Sequence, residues 1–596
     1  MCSPAEHTFA QRGYHGREMT TERLLTETVT VPEAIVRVLE QAGIDTVFGM
    51  PGGRTLAIYD ALHDHRDTIR TVLVRQESLA GVMAEVYGRV TRKPGVAMGQ
   101  GAFMLSNAAL GTLEALLAGS PMLILSDLSD GLLYSHHAPY QSGSGEHGNW
   151  DAKQAFQGFT KETMVPLEGV QAVQATQLAI KHALTGQPGP VALLYATKAL
   201  RSTVGPDSAP ILYPTQHYLP PAAVGPDPRA VEAAARAIRK AERPVIIAGN
   251  GVRVAQAYAE LLQLAELLQA PVATTASGKG VFPEDHPLAL GMFGTFGLDS
   301  ANAVVADADV VIAAGTKLGP SDTINETPDL LDPRRQTFVQ FDIEPLNAAW
   351  TFPVDHVVVG DAAASLAALA ACLGPARNRQ NGAARVEEAR KKLGGFETED
   401  SRSDAIPMRP QRIIAELQRA LPADGMVTAD AGENRIFLAH HFQTRTAGSF
   451  LQPAAIGGMG YAVPAALALK LLHPDRPVVA VCGDGGFAMS MNGLMTALEQ
   501  DLPIIVLVMN NSSLGWVAHG QGERLIACEF DDFDYGAIAR AMDCDGIRVE
   551  NPQELASALR AAMGSKRPSL IDAVSSRDQP FQKITSRYSQ PDAKKY

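Results

Sequence analysis

Two runs decide the fold: Pro477-Val-Val-Ala-Val-Cys-Gly-Asp-Gly-Gly486 and Leu502-Pro-Ile-Ile-Val-Leu-Val-Met-Asn-Asn511. Each is a short apolar stretch closed by Gly or Asn, which reads as a strand buried on both faces. Between them, residues 489–500 read as a helix, giving one βαβ unit. Gly483-Asp484-Gly485 and Asn510-Asn511, separated by 24 residues, then stand at the carboxyl ends of neighbouring parallel strands. That edge is where open α/β sheets bind ligands. A carboxylate and an amide oxygen, completed by phosphate oxygens, form the hard set that Mg²⁺ prefers. Gly485 and Gly486 leave room for a phosphate against the backbone, and the following helix N-terminus offers free N–H groups. Taken singly, Gly-Asp-Gly is a tight turn and Asn-Asn a strand end. Together at this spacing they point to a metal-assisted diphosphate site.

Working outward, strand and helix patterns alternate along nearly the whole chain, as in parallel sheets with crossover helices. The 596 residues divide into three α/β blocks, at 30–205, 229–375 and 411–576, each expected as a doubly wound parallel sheet. Strands are expected at 46–50, 71–75, 95–99, 122–127 and 190–195 in the first block. In the second they fall at 244–248, 271–275, 309–314, 337–342 and 356–359, and in the third at 426–429, 478–482, 504–509 and 569–573. The first and third blocks have similar size and layout, suggesting two copies of one fold around a middle domain. Residues 1–29 read as a disordered polar tail, 210–228 and 376–410 as linkers, and 577–596 as a tail or lid.

No run of 18 apolar residues exists, so no segment is expected to span a membrane, and no secretory signal is seen. A formal charge of −13 argues against nucleic acid or an anionic membrane as partner. Five scattered cysteines without CxxC spacing suit a reduced cytoplasm rather than a disulfide framework or a zinc site.

The Gly-Asp-Gly…Asn-Asn motif resembles that of the thiamine-diphosphate (ThDP) enzymes. The resemblance implies Mg²⁺ ligands at Asp484, Asn511 and the main-chain carbonyl of Ser513, with the diphosphate against Gly485, Gly486 and Gly515. In that family a carboxylic side chain bonded to the cofactor's aminopyrimidine promotes loss of its C2 proton, while the cofactor carries the hard chemistry. Val74-Arg75-Gln76-Glu77-Ser78 with Ala84-Glu85-Val86-Tyr87-Gly88-Arg89 is similar to the family's activating segment, which makes Glu77 the catalytic carboxylate. Gln76 stands where a His is usual, and Glu85 is read as structural. Ile456-Gly457-Gly458-Met459-Gly460-Tyr461 resembles the Gly-rich segment whose apolar side chain, here Met459, wedges between the cofactor rings. Asp430-Ala431-Gly432-Glu433-Asn434 resembles a further diphosphate-side loop, contributing Gly432 and Glu433.

The branch most similar is that of the acetolactate synthases, through Phe48-Gly49-Met50-Pro51-Gly52-Gly53, Ala273-Thr274-Thr275…Gly278-Lys279-Gly280 and Asp342-Ile343-Glu344-Pro345. The departures concentrate at substrate and flavin positions. A family run carrying two arginines is Gly315-Thr316-Lys317-Leu318-Gly319-Pro320-Ser321-Asp322 here. The tryptophan that selects the acceptor is missing from Gly515-Trp516-Val517-Ala518-His519-Gly520, and Gly101-Ala102-Phe103-Met104 replaces a Ser-Gly-Pro-Gly loop. Gln100, Phe103, His136, His137, Trp516 and His519 are the candidate substrate-pocket residues. The implied cofactors are ThDP and Mg²⁺, with FAD or ADP an open option in the middle block through Gly249-Asn250-Gly251 and Gly291-Met292-Phe293-Gly294.

The expected activity is therefore decarboxylating ligation of a 2-oxo acid or related small carbonyl compound, with altered specificity. A lyase or hydrolase of an acyloin, 1,2-dione or 2-hydroxyacyl thioester, or a simple decarboxylase, uses the same cofactor site. A non-catalytic binding protein is disfavoured by retention of Glu77, Met459, Asp484 and Asn511. A Rossmann dehydrogenase lacks its third glycine, because Val254 occupies that position. In the family it resembles, the carboxylate and the diphosphate-side ligands lie on different blocks, as Glu77 and Asp484 do here, more than 400 residues apart. The resemblance implies a homodimer or homotetramer with active sites at the subunit interface.

Overall fold

The computed structural model describes residues 22–130, 140–219, 223–374 and 382–589. Each block forms a six-stranded, all-parallel sheet. Across the first sheet the strands run Arg70–Leu73, Thr46–Gly49, Gly95–Met98, Met122–Asp127, Pro190–Tyr195, Glu162–Met164. Across the third they run Phe450–Leu451, Met426–Ala429, Val478–Gly483, Ile505–Asn510, Ser569–Val574, Asp545–Val549. Numbered by chain order within each block, both read 2-1-3-4-6-5, so the two outer domains share one topology. The middle sheet reads 3-2-1-4-5-6, through Ala289–Met292, Val272–Thr274, Pro244–Ala248, Val310–Ala314, Thr337–Asp342 and His356–Val359. That is the order of a nucleotide-binding doubly wound sheet.

Central strands such as Met122–Asp127 and Pro244–Ala248 are buried at every position, which is why they lack alternation. Strands missing from the sequence reading are edge or short ones: Glu162–Met164, Ala289–Met292, Phe450–Leu451 and Asp545–Val549. The helix expected over 489–500 is two helices, Asp484–Ser490 and Gly493–Glu499, and the first begins at the strand's end. One core cluster runs continuously from the first domain into the third, where the Glu77–Thr91 and Ala462–Leu472 helices pack together.

Two segments differ from expectation, and a third, read as a tail or lid, takes a definite place. The tail read over 1–29 is structured at its end: Leu24 and Leu25 are buried, and Val29–Thr30 pairs antiparallel with Thr203–Val204. The linker read over 376–410 carries a helix, Gly382–Leu393, whose Arg385 and Arg390 donate to the carbonyls of Pro244 and Ala289. The segment after 577 packs Phe581 into the body of the protein. In each case a few apolar or arginine side chains, invisible in an average over polar sequence, find tertiary partners.

Candidate active site

The Val478–Gly483 and Ile505–Asn510 strands lie side by side and bring Asp484 to Asn511 and Ser513. Asp484 is buried; its Oδ1 accepts from the Gly485 N–H (2.8 Å) and its Oδ2 from the Ser513 N–H (3.1 Å). Burial pushes its carboxyl up to about 6, against the pull of those N–H donors. A buried carboxylate held at that cost calls for a cation. Asn511 Oδ1 accepts from Ser513 N and Oγ, both at 3.1 Å, in a turn where Ser512 adopts φ +51°. Asn510 points the other way and donates to Asp572 (2.9 Å), so the two asparagines divide into one anchor and one site residue.

A cavity of about 120 Å³ opens here. It is lined by Gly432, Glu433, Met459, Asp484, Gly485, Gly486, Asn511, Ser513, Gly515 and Trp516 among others. Met459 faces Gly485 directly: a Cβ on Gly485 would lie 3.1 Å from its Cε. Gly486 has a reason beyond ligand approach. A Cβ there would stand 2.2 Å from Asp430 Oδ2, and Asp430 accepts the N–H groups of Ala431, Gly460 and Tyr461. Gly457 (φ +72°) is in the turn before Met459 and does not line the cavity.

Trp516, which lines the cavity, is backed by residues from outside the motifs. Trp516 stacks on Phe581 (4.0 Å between ring centroids, 4° between planes), with Phe296 of the middle domain edge-on. His519 bonds Glu433 through Nδ1 and the Arg577 carbonyl through Nε2, and the Phe581 N–H donates to the same Glu433. Arg577 itself donates to the carbonyls of Asn511 and Ser512, both at 2.5 Å. His519 thus stands behind Glu433 rather than in the cavity.

Among the described residues, none of the first domain lines this cavity. Glu77 opens its helix, buried, with Oε2 accepting from Asn107 Nδ2 (2.8 Å). Gln100 caps the next helix and bonds Gln141, and Phe103 is partly exposed there. His136 and His137 lie outside the described residues. Sequence reasoning missed Asp430, Arg577, Phe581 and Glu114; of these only Asp430, beside a Gly-rich turn, carried a local signal.

A second cavity, about 590 Å³, lies between the first and middle domains, with Asn250, Lys317, Asp342 and Trp350 in its lining. The Gly249-Asn250-Gly251 turn borders it, but its glycines serve packing. A Cβ on Gly251 would lie 2.7 Å from Gly315 Cα, and the Gly251 N–H is spent on the Gly315 carbonyl.

Three parallel α/β domains, the outer two of one topology, with Asp484, Asn511 and Met459 converging on one cavity, define a thiamine-diphosphate enzyme. Three family profiles match: the thiamine pyrophosphate enzyme N-terminal TPP binding domain over residues 29–145, the central domain over 231–369, and the C-terminal TPP binding domain over 430–573. The chain belongs to the thiamine pyrophosphate enzyme family, in its acetolactate synthase-like branch. It is 32% identical to a probable acetolactate synthase large subunit of Methanocaldococcus jannaschii, over 91% of each chain. It is 30% identical to a probable 2-ketoarginine decarboxylase of Pseudomonas aeruginosa, over 92% of this chain and 94% of that one. A putative thiamine pyrophosphate-containing protein of Bacillus subtilis is 29% identical over 93% of this chain.

Proposed function

We propose that the protein is a ThDP- and Mg²⁺-dependent enzyme that decarboxylates a 2-oxo acid and joins the remaining fragment to a second carbonyl compound. The observation that carries this is the convergence of Met459, Asp484, Asn511 and Ser513 on one cavity. The donors fit the metal: one carboxylate, one amide oxygen and one main-chain carbonyl leave further positions for phosphate oxygens. ThDP, when bound, supplies the nucleophilic carbon and the electron sink for decarboxylation. Asp484, Asn511 and Ser513 would hold the metal and diphosphate, and Met459 would support the thiamine rings. Glu77 holds the proton at the aminopyrimidine, and Trp516 with Phe581 excludes water.

Because no described residue of the first domain lines the third-domain cavity, Glu77 would meet the cofactor of a second copy. The assembly is a homodimer or homotetramer with shared sites, acting on small carbonyl substrates in the cytoplasm. Specificity departs from acetolactate formation at Gln100, Phe103, His136, His137 and Trp516, whereas His519, bonded to Glu433 and the Arg577 carbonyl, acts from behind the cavity wall. The relative described as a 2-ketoarginine decarboxylase supports a second reading, simple decarboxylation. The larger cavity has the size for an adenine nucleotide, ADP or FAD, with the buried, unpartnered Asn250 Oδ1 available as acceptor. A panel of 2-oxo acids, alone and with aldehyde or keto-acid acceptors, run with ThDP and Mg²⁺ and read by product mass, separates the two readings. No turnover of any 2-oxo acid overturns both.

A further inference from the structure

The segment 452–461, which carries Met459, belongs to no helix or strand. It bridges the Phe450–Leu451 strand and the Ala462–Leu472 helix, with Gly457 and Gly460 at positive φ. Such a chain has no ladder of its own to fix a side chain at its tip. Its own domain holds it at Asp430, and at Arg435, whose Nη1 donates to the Pro453 carbonyl (3.1 Å). The middle domain adds one bond, from Gln452 Nε2 to the Ala276 carbonyl (2.5 Å), and three buried charges of the first domain hold the turn nearer Met459. Glu114 accepts the Ile456 N–H on Oε2 (2.9 Å) and the Ala455 N–H on Oε1 (3.3 Å). Arg89 donates to the Gln452 carbonyl (3.3 Å) and, at 2.6 Å each, to Glu85 and Glu114. Glu85 accepts the Tyr461 hydroxyl (2.9 Å). Arg89, Glu85, Glu114 and Tyr461 are each at most 1% exposed.

This arrangement is poorly explained by stability. A buried ion pair rarely outdoes apolar packing of the same shape, because desolvation offsets the attraction. What a carboxylate offers and a leucine does not is a directed, charge-assisted hold on particular backbone N–H groups. Two of the N–H groups so held lie three and four residues before Met459. Against the same turn, Leu110 packs so closely that a Cβ on Gly458 would fall 1.9 Å from it, so the turn has little freedom once docked.

We propose that Glu114, oriented by Arg89, is a positioning residue that sets the Met459 turn, and through it the bend of the bound cofactor. The proposal rests on Met459 being the wedge. The test compares wild type with Glu114→Gln and Met459→Ala as holoenzymes at saturating ThDP and Mg²⁺. It reads deuterium exchange at cofactor C2 by acid quench and NMR, with amide exchange of residues 452–461 and the unfolding temperature alongside. Both variants are expected to slow C2 exchange at least about tenfold, the cost of a small misalignment in a proton transfer needing near-contact geometry. In Glu114→Gln amide exchange in the turn rises as well. If Glu114→Gln does not fold, Glu114→Asp keeps the charge opposite Arg89 but withdraws the acceptor by one methylene, and the same slowing is expected. Wild-type C2 exchange in Met459→Ala overturns the wedge reading, and this proposal with it. Slow exchange there but wild-type exchange in the Glu114 variant overturns this proposal alone. A Glu114 variant that only lowers the unfolding temperature makes the cluster structural and also overturns it.

Discussion

At the scale of single residues, the site is a contrast between two carboxylates on different domains. Asp484 is raised by burial, and its oxygens are already engaged by backbone N–H groups, so it is prepared for a cation. Asp484→Ala is expected to weaken ThDP binding in the presence of Mg²⁺ by at least about a hundredfold, the scale at which losing a charged partner in a buried site is felt. Calorimetric titration measures it, and an unchanged affinity removes Asp484 from the metal site. Glu77, on the proposed function, acts on the pyrimidine end alone. Glu77→Gln should therefore bind ThDP within a few-fold of wild type while C2 proton exchange slows by about two orders of magnitude or more, as loss of a positioned proton group does. Exchange at the wild-type rate would assign activation to another group. Both residues were legible because each directly follows a strand run, Val74 and Cys482 being the last apolar positions. Glu114 was not legible, because its partners are backbone groups more than 300 residues away.

Among elements, the segment from 577 to 589 behaves as a strap. Arg577 grips the carbonyls of the Asn511 turn, Phe581 stacks on Trp516, and Ser586 reaches Asn302 and Asp299 of the middle domain. The family match ends at 573, before this segment. His519 fastens the strap, since both its ring nitrogens meet acceptors, Glu433 and the Arg577 carbonyl. Only the imidazolium donates from both nitrogens. The Glu433 bond accordingly raises His519 above its ordinary value, with Asp578 adding to the attraction and burial opposing it. For a raised histidine the stabilisation is full below the unfolded value near 6.5 and lost as pH rises through the folded one. Amide exchange across residues 577–589 should therefore accelerate as pH rises above that point, after correction for intrinsic rates. His519→Gln should remove the pH step. A step that persists in His519→Gln would place the titrating group elsewhere. The polar composition that suggested a tail is the composition of a strap held by hydrogen bonds, so sequence patterning does not distinguish the two.

For the whole molecule, the decisive fact is that, among the described residues, none from the Glu77 edge lines the Asp484 cavity. The core that joins the first and third domains is made by helix packing behind the two sheets. Each domain's strand-end edge is therefore available to another subunit, and two-fold assembly would complete two identical sites. Mixing inactive Glu77→Gln chains with inactive Asp484→Ala chains should restore activity, about a quarter of wild type if exchange is random and half the chains pair across types, each mixed dimer carrying one intact site. The measurement is turnover after subunit exchange verified by mass. No recovery despite exchange would mean that each chain builds its own site.

The sequence by itself determined the three-block α/β architecture, the pairing of Gly483-Asp484-Gly485 with Asn510-Asn511, and the places of Glu77 and Met459. These follow from local rules: apolar runs that must be buried, and turn residues that must stand at strand ends. Only the tertiary structure decided that Gly486 yields to Asp430, that 577–589 is a strap, and that Glu114 and Arg89 grip the Met459 turn. It also showed that Glu77 is not among the described residues lining the Asp484 cavity of its own chain. Those are contacts between residues far apart in the chain. The burial and hydrogen bonding that create them depend on how the sheets dock, and no periodicity along the sequence records that.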